Sequence, residues 1–464
     1  MAGQLTKRHS VQLPGSHWLL FANYRRTGVL QGRRSGSFYA MAGDSEHGGA
    51  AGIDPVQAIV DRAVAAAGAL RRASPGQRDR ALACCADRIR AGSAEILQAN
   101  AADLVAAREA GIGAALEDRL RLTPARVEAM AASLEELSRT PEVVGAVLEG
   151  WRRPNGLSVR RVRVPLGVVA VVYEARPNVT AEAAGIALRS ANAIVLRGSS
   201  SASRSNSAIA AALGRALEDV GLPSQCVSLV GGAGHGRVVE LLHTKGVDCL
   251  IPRGGPALLD LVRTEAVMPV VVDGSGNCHI FVDANADLDL AASVVVNAKC
   301  SRPGVCNAAE KLLVHSDIAS KFLPIVQDAL VGVELRADPR AAGYLVSAIP
   351  AEEEDWGREY LDLIMAVKVV DDVDEAIAHI AKFGSGHSEA VLSQDVSVIN
   401  RFVSEVDAAA VVVNTSTRFI DGSELGFGGE IGISTQKLHV RGPMGPDALT
   451  CIKLVVEGEG QVRG

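Results

Sequence analysis

The chain has 464 residues, of which 48% are hydrophobic and 22% are charged, and its formal net charge is −6. This length predicts two or three domains, each able to bury a core, and the acidic balance argues against a nucleic-acid partner. The longest apolar runs, such as VVAVV at 168–172, are far shorter than the ~18 residues that span a bilayer, so we expect no membrane segment. The eight cysteines lack a disulfide-rich spacing and follow no secretory leader, which favours a reducing, cytoplasmic location.

Residues 1–43 differ in composition from the rest of the chain. They contain six Lys or Arg residues and no Asp or Glu. A basic, acid-free segment superficially matches an organellar transit peptide, but this one shows no sustained amphipathic period. We therefore interpret it as a basic, disordered extension, or as sequence translated ahead of a start at Met41.

Helices and strands alternate through the next part of the chain. Residues 55–137 predict amphipathic helices, because apolar residues recur at three- and four-residue spacing. A short strand is predicted at 156–164. From 168 to 273, five apolar runs (VVAVVYE, AIVLRG, CVSLV, VDCLI and MPVVVD) alternate with four helical segments. This order predicts a parallel sheet with crossover helices, whose crevice at the carboxyl ends of the strands suits a dinucleotide.

A second α/β pattern begins after residue 283. It predicts helices at ADLDLAASVVVNAK, DIASKFLPIVQDAL and VDEAIAHIAKF, and strands at KLLVH, MAVKVV, AVL and AAVVVN. The polar, Gly-rich stretch at 416–445 is too long for an ordinary connection and is a candidate substrate loop. We predict N-terminal helices and a cofactor domain at 52–275, a catalytic domain at 276–430, and the substrate loop and a C-terminal segment at 431–464.

The glycine cluster GGAGHG at 231–236 does not fit the dinucleotide fingerprint in any frame. The segment LRGSSSASRSN at 196–206 is more informative, because a strand ends there in Arg197, a glycine and three serines, and a helix begins. A base and hydroxyls at this point suit the 2′-phosphate of NADP, whereas an acid would favour NAD. A Ser-rich helix cap beside a solvated arginine explains these residues equally well.

Two cysteines, Cys300 and Cys306, are six residues apart in NAKCSRPGVCNAAEKLLVH. Their spacing does not match a zinc site, so we predict no metal. Cys306 follows Arg302 and a Pro-Gly turn, and NAAE could begin a helix, so a guanidinium and helical N–H groups would lower its pKa. Cys300 ends a helix, where the dipole disfavours a thiolate. Most cysteines are small buried hydrophobes, but this context favours Cys306 as a nucleophile.

The order of these motifs resembles the aldehyde dehydrogenase superfamily, and within it the γ-glutamyl phosphate reductase family. The motifs that carry the resemblance are YEARPNVT, VLRGSSSASRSN, IPRGG, GNCHIFVD, NAKCSRPGVCNAAEKLLVH, NTSTRFIDG and LGFGGEIGISTQKLHVRGPMG. The resemblance covers the chain from about residue 52 to the C-terminus. It implies an α/β, aldehyde dehydrogenase-like fold, with a Rossmann-type parallel-sheet cofactor domain, a second α/β catalytic domain and a small oligomerisation element.

The resemblance also implies roles for individual residues. Cys306 becomes the nucleophile, and the side-chain amide of Asn178 supports an oxyanion. NADP(H) is expected at three places: the adenosine ribose and its phosphate, the pyrophosphate, and the nicotinamide ribose. The residues at these places are, in turn, Arg197, Gly198, Ser199 and Ser200; Arg253, Gly254 and Gly255; and Glu359.

The implied reaction is NADPH-dependent reduction of L-glutamyl 5-phosphate to L-glutamate 5-semialdehyde with release of phosphate, a step of proline biosynthesis. Where aldehyde-oxidising relatives carry Glu-Leu-Gly-Gly, this chain has DGSG at 273–276. The water-activating glutamate is therefore missing, which protects a cysteine thioester from hydrolysis. The anionic substrate requires cations, and the basic candidates in the two polar segments are Arg302, Arg418, Lys437, His439 and Arg441.

Other functions remain as alternatives. The nearest is another acylating aldehyde dehydrogenase that acts on a CoA thioester or a different acyl phosphate. A cysteine acyltransferase without a redox step would leave the nucleotide sheet unexplained, and a pure binding protein would not need Cys306. Segments 156–164 and 440–464 match superfamily pieces that pair subunits, which implies a homo-oligomer. The resemblance also admits glutamate kinase as a partner.

Overall fold

The computed structural model describes residues 54–232 and 234–463, so the basic extension at 1–43 lies outside the described residues. The predicted N-terminal helices are confirmed. They are α1 (Val56–Arg72), α2 (Pro75–Ala91), α3 (Ser93–Glu109), α4 (Ala114–Leu120) and α5 (Pro124–Arg139). Ser74 and Thr123 cap α2 and α5, each accepting a hydrogen bond from a backbone N–H of the first turn, and proline follows both caps.

Two strands, β1 (Val147–Arg152) and β2 (Ser158–Pro165), precede the first parallel sheet. That sheet contains β3 (Val168–Tyr173), β4 (Ala193–Gly198), β5 (Val227–Leu229) and β6 (Cys249–Arg253) in the order β5-β4-β3-β6. Its helices are α6 (Asn178–Arg189), α7 (Ser203–Asp219), α8 (Gly236–Leu242) and α9 (Pro256–Glu265). The chain crosses from β5 over to β6 beside β3, and such a reversal opens a ligand crevice at the carboxyl ends of the strands.

The prediction of a fifth strand at MPVVVD is wrong. This segment joins the sheet through one bridge only, between Leu250 and Val270. Pro269 has no N–H to donate to a ladder. A few residues later, Asp273 bridges to Ser434 in the polar tail, so the segment leaves the sheet instead of extending it.

The second sheet has seven strands, all parallel. The strands are β7 (Cys278–Val282), β8 (Ala309–His315), β9 (Glu334–Ala337), β10 (Ile349–Pro350), β11 (Ile364–Val370), β12 (Ser388–Leu392) and β13 (Ala410–Val413). Their order is β10-β9-β11-β8-β7-β12-β13. The helices of this part are α10 (Leu288–Cys300), α11 (Ser316–Ala329), α12 (Glu353–Gly357), α13 (Val373–Phe383) and α14 (Val396–Glu405). The predicted α/β pattern after residue 283 is therefore confirmed.

The polar tail contains a short hairpin of β14 (Ile433–Ser434) and β15 (Gly442–Pro443), followed by β16 (Thr450–Glu457). β16 pairs with β2, giving an antiparallel sheet in the order β1-β2-β16. The strand predicted at 156–164 is confirmed as β2. The apolar side chains of Ile452, Leu454 and Val456 are more than half exposed on β16, which is the arrangement expected if this sheet contacts a second subunit.

The apolar tail residues pack into both cores. Ile431 and Met444 belong to the core under the first sheet, whereas Ile420 and Ile433 belong to the core under the second sheet. The tail therefore ties the two sheets together near the carboxyl ends of β3 and β6. The boundaries predicted for the separate domains stay a prediction.

Candidate active site

Cys306 lies in the turn between α10 and β8 and is held by close backbone packing. Its carbonyl oxygen is so close to Gly276 that a Cβ added at that glycine would lie 1.6 Å from it. The Sγ of Cys278 is 3.1 Å from the same oxygen. Only glycine is tolerated at 276 in this arrangement, so the DGSG segment fixes the position of the Cys306 turn.

The prediction that the turn lowers the pKa of Cys306 is wrong. Burial raises the pKa of this thiol to about 11, while Arg253 acts in the opposite direction. No helix begins after Cys306, because Ala309 and Glu310 already belong to β8, a central strand whose pairing overrides local helix propensity. Cys300 ends α10 as predicted, and burial raises its pKa as well.

Four arginines influence one another or the thiol around this turn: Arg176, Arg253, Arg302 and Arg418. Burial lowers the pKa of Arg176, and the neighbouring Arg253 lowers it further. Burial also lowers the pKa of Arg418, and the neighbouring Arg302 lowers it further. A Cys306 thiolate would raise the pKa of both Arg176 and Arg418. Cations that disfavour one another's charge form a site that attracts an anion.

Arg176 was not among the predicted site residues. It lies in the turn between β3 and α6, two residues before Asn178, so a basic residue at the carboxyl end of a sheet strand was the available signal. Arg418 was predicted, and its guanidinium donates to the side-chain oxygen of Asn307, next to the cysteine. The structure thus brings residues from three distant segments to one place.

Carboxyl groups lie among these arginines. Glu182 is one helical turn after Asn178 and accepts a 2.9 Å hydrogen bond from its amide nitrogen. Burial raises the pKa of Glu182, and it raises the pKa of Glu430 to about 7. Glu430 was missed by sequence reasoning, since nothing in the GFGGEIG motif distinguishes it. Its charge is the largest one that raises the pKa of Cys306.

We expect the substitution Glu430→Gln to accelerate alkylation of Cys306 at about pH 8, where the native carboxyl is ionised and disfavours the thiolate. At about pH 6 the carboxyl is neutral because burial raises its pKa, so the two proteins should react at similar rates. The rate is measured with iodoacetamide as a function of pH. Glu424→Gln, on the exposed part of the same loop, is the control. Unchanged or slower alkylation at the higher pH would contradict this electrostatic coupling.

Glu359, the predicted nicotinamide ribose ligand, lies next to the cysteine turn. Its carboxylate accepts a 2.7 Å hydrogen bond from the backbone N–H of Gly276, the residue that touches Cys306. Burial raises the pKa of Glu359, while the nearby Lys311 opposes that shift. The remaining carboxylate oxygen is a suitable hydrogen-bond acceptor for a ribose hydroxyl.

A cleft of about 500 Å³ opens at the carboxyl ends of β4 and β5. Among the residues that line it are Arg197, Gly198 and Ser199. A Cβ at Gly198 would lie 2.1 Å from the amide nitrogen of Asn206, so only glycine fits at this end of β4. A crevice of this size at the carboxyl ends of parallel strands fits part of a dinucleotide.

Arg197 is less available than its sequence context suggests. Its guanidinium donates to the backbone carbonyls of Val230, Gly232 and Gly234, and its buried Nε has no partner among the described residues. Arg197 therefore holds the backbone carbonyls of these three residues against the end of β4. Ser199 accepts a hydrogen bond from the backbone N–H of Ala175, and Ser200 begins the short helical turn that leads into α7.

The IPRGG turn connects β6 to α9. Arg253 forms an ion pair with Asp273, and Asp273 also accepts a 2.7 Å hydrogen bond from the backbone N–H of Ile433. The backbone N–H of Gly255 donates to Glu174 over 3.1 Å, and a Cβ at Gly254 would lie 2.7 Å from the same carboxylate. The carboxylate of Asp273 is thus occupied.

The three basic candidates in the C-terminal tail have other surroundings. Lys437 and Arg441 both form ion pairs with Asp407, and these contacts lower the pKa of that carboxyl. The side chain of His439 is exposed between them. The structure therefore groups Arg302 and Arg418 with Cys306, and Lys437 and Arg441 with Asp407.

Two features are absent from the residues that the structure describes. In this part of the chain no group of three or more His, Cys, Asp or Glu side chains could hold a metal ion. Likewise, no described helix combines the length and apolarity needed to cross a membrane.

The sequence profile of the aldehyde dehydrogenase family matches residues 47–349. The chain belongs to the aldehyde dehydrogenase family. Curated aldehyde dehydrogenase relatives include the γ-glutamyl phosphate reductase of Clostridium beijerinckii, 51% identical over 352 residues, which are 75% of this chain and 85% of the relative. A crystal structure of γ-glutamyl phosphate reductase from Thermotoga maritima matches with a TM-score of 0.85 and 45% identity, covering 89% of this chain and 100% of that one.

The acetylating aldehyde dehydrogenase of Geobacillus thermoglucosidasius shares the fold, with a TM-score of 0.65 and 19% identity over 88% of this chain and 97% of that one. The predicted aldehyde dehydrogenase-like α/β fold is therefore confirmed, and so is the resemblance to the γ-glutamyl phosphate reductases. Enzymes of this family use NAD or NADP as the hydride carrier.

Proposed function

We propose that this aldehyde dehydrogenase reduces L-glutamyl 5-phosphate to L-glutamate 5-semialdehyde with NADPH and releases phosphate, as a step of proline biosynthesis. The observation that carries the proposal is the partly buried Cys306 beside Arg176, Arg302 and Arg418. A nucleophilic thiol within a cationic site suits an acyl substrate that carries several negative charges.

The arginines bind and orient the substrate. An acyl phosphate has a dianionic leaving group, and the glutamyl part adds an α-carboxylate. Arg302 is exposed, so it meets the substrate at the entrance, whereas Arg176 and Arg418 are partly buried beside the thiol. In this proposal the predicted candidates Lys437, His439 and Arg441 form a second cationic group, in the polar tail. The positive charge of this group guides the anionic substrate towards the site.

The substrate's negative charges would also disfavour ionisation of Cys306, so the thiol needs help. Arg253 already lowers the pKa of Cys306 against the effect of burial. Glu359 and Glu430 are the carboxyl groups whose charge acts on this thiol, and the pKa of Glu430 is raised to about 7. Glu430 is therefore partly protonated near neutral pH, and its protonation removes one of the charges that disfavour the thiolate.

The thiolate then attacks the acyl carbon, so that a C–S bond forms and the C–O bond to phosphate breaks. The negative charge that develops on the acyl oxygen is stabilised by Asn178 and the backbone N–H of Cys306, and one such donor contributes on the order of 3 kcal/mol. An amide nitrogen has two hydrogens, so Asn178 can donate one to Glu182, which orients it, and one to the oxyanion.

When bound, NADPH supplies the hydride that reduces the Cys306 thioester. The residues that would hold it are Arg197, Gly198, Ser199 and Ser200 at the adenosine side, Arg253, Gly254 and Gly255 near the pyrophosphate, and Glu359 at the nicotinamide ribose. The cleft beside Gly198 and the absence of an acid at the end of β4 support the preference for NADPH. After reduction, the C–S bond breaks, the aldehyde leaves and the Cys306 sulfur is protonated again.

The assembly and location belong to this proposal as well. The exposed apolar side chains of β16 support a homo-oligomer that forms through the β1-β2-β16 sheet. The eight cysteines are all free, which suits a reducing cytoplasm. Glutamate kinase, whose product is this substrate, is the partner we propose to test by co-purification.

The reverse reaction tests the proposal. The purified protein should reduce NADP when supplied with glutamate 5-semialdehyde and inorganic phosphate, and NAD should be a poorer acceptor. The nearest alternative, an acylating aldehyde dehydrogenase for CoA thioesters or for a different acyl phosphate, is tested by replacing phosphate with CoA and by replacing the semialdehyde with acetaldehyde. Turnover with CoA but not with phosphate would contradict the proposed function.

A further inference from the structure

Buried charges lie directly behind the cysteine turn. Lys299 at the end of α10 and Glu310 at the start of β8 form a 3.0 Å ion pair, and both side chains are fully buried. The adjacent Lys311 is also fully buried. Removing charges from water is unfavourable, and apolar residues often replace a buried ion pair without loss of stability. The stability of the fold alone therefore does not account for these three charges.

Both β8 residues bind one short segment, residues 358–361. The ammonium of Lys311 donates a 2.7 Å hydrogen bond to the carbonyl of Arg358 and lies 4.4 Å from the ring centre of Tyr360. The carboxylate of Glu310 accepts a hydrogen bond from the backbone N–H of Leu361 over 3.2 Å. The segment is thus held at residues on both sides of Glu359.

The backbone of this segment needs such support. Leu361 has a φ of +56°, a left-handed conformation that residues with branched apolar side chains rarely adopt. A conformation of this kind persists only where surrounding contacts determine it. Lys299 maintains the contact at Leu361, because its charge opposes the rise in the pKa of Glu310 that burial causes.

Glu359 connects this segment to the nucleophile. Its carboxylate accepts the backbone N–H of Gly276 at 2.7 Å, and Gly276 touches the carbonyl of Cys306. We propose that Glu310 and Lys311 are positioning residues that hold Glu359 beside the cysteine turn, where it binds the nicotinamide ribose. The cofactor part of this inference rests on the proposed function.

The first test is Lys311→Met, which keeps a long, flexible side chain in the core but removes the ammonium. We expect the variant to bind NADPH roughly tenfold more weakly in a fluorescence titration, since the contact that holds Arg358 is lost. The KM for NADPH should rise while kcat at saturation changes less. Without any cofactor, iodoacetamide should alkylate Cys306 faster, because a displaced Glu359 no longer disfavours the thiolate.

A double-mutant cycle separates positioning from general stability. If Lys311 acts through Glu359, then adding Lys311→Met to Glu359→Gln should change NADPH affinity and alkylation little beyond Glu359→Gln alone. Arg78→Met is the matched control, since it breaks a partly buried ion pair between α2 and Glu142, which follows α5. It should lower Tm without changing either measurement.

Wild-type NADPH affinity and alkylation in folded Lys311→Met, or full additivity with Glu359→Gln, would overturn the proposal. If Glu359→Gln binds NADPH as tightly as the native protein, the ribose role of Glu359 fails instead, and the alkylation cycle alone decides the positioning role. Should Lys311→Met not fold, Lys299→Met with Glu310→Met removes the acceptor of the Leu361 N–H without leaving the Lys299 ammonium unpaired. Native NADPH affinity and alkylation in that variant would likewise overturn the proposal.

Discussion

Cys306→Ser should lower the rate of reduction by on the order of a thousandfold or more, because a hydroxyl at this position is a far weaker nucleophile than a thiolate. NADPH affinity should stay close to that of the native protein, since the thiol forms the covalent intermediate and does not hold the cofactor. The two quantities are measured by steady-state kinetics and by fluorescence titration. A parallel loss of both would mean that the substitution disturbs the Gly276 contact rather than the chemistry.

Cys300→Ser is the matched control for this result. Cys300 is partly buried at the end of α10, and its pKa is raised by burial without any carboxylate or arginine acting on it. We expect a change in kcat of less than about threefold, as is usual for a substitution away from reacting groups. Loss of activity in Cys300→Ser together with retained activity in Cys306→Ser would reverse the assignment of the nucleophile.

In the oxidative direction, turnover should require inorganic phosphate. Once the semialdehyde is oxidised, the acyl group remains on Cys306 as a thioester until an acceptor removes it. The resemblance implies that Asp273 stands where aldehyde-oxidising relatives carry a water-activating glutamate, and the carboxylate of Asp273 is occupied by Arg253 and the N–H of Ile433. A general base needs a free carboxylate oxygen within hydrogen-bond reach of the water that it deprotonates, and the contacts of Asp273 with Arg253 and Ile433 disfavour this role.

Without phosphate we expect at most one NADPH per active site, seen as a burst in absorbance or fluorescence. Arsenate should restore turnover, because it accepts the acyl group and its adduct hydrolyses spontaneously. Continuous NADPH formation without either anion would contradict this prediction and would indicate that another carboxylate activates water. Glu430 would then be the first group to test, since its raised pKa of about 7 and its effect on Cys306 place it in the site.

Local patterns in the sequence predicted most of the elements. The apolar periodicity of α6, α7 and α13, and the β-branched runs of β3 and β4, depend on residues a few positions apart, so they are visible without a structure. Two predicted elements were wrong because local patterns do not show which segments pair in the tertiary structure. The segment at 268–273 contains strand-forming residues but pairs through one bridge, and the residues after Cys306 favour a helix but belong to β8.

The site residues also fall into those that a single segment indicates and those that depend on distant segments. The nucleophile and the missing glutamate could be proposed from motifs, because each is a feature of one short segment. The position of Arg176 beside Cys306, the raised pKa of Glu430 and the contacts of Lys311 could not be predicted, since each joins segments far apart in the chain. The same holds for Arg197, whose sequence suggests a free cation and whose guanidinium is bound to backbone carbonyls.

The amino-acid sequence by itself determined the alternation of helices and strands and the family, and it indicated which cysteine we propose as the nucleophile. Only the tertiary structure decided the electrostatic state of that cysteine and which charges surround it. The physical reason is that a pKa depends on burial and on charges within a few ångströms, whatever their distance along the chain. The neighbours of Cys306 in the sequence predict a reactive thiolate. In the folded protein, burial instead raises the pKa of this thiol to about 11.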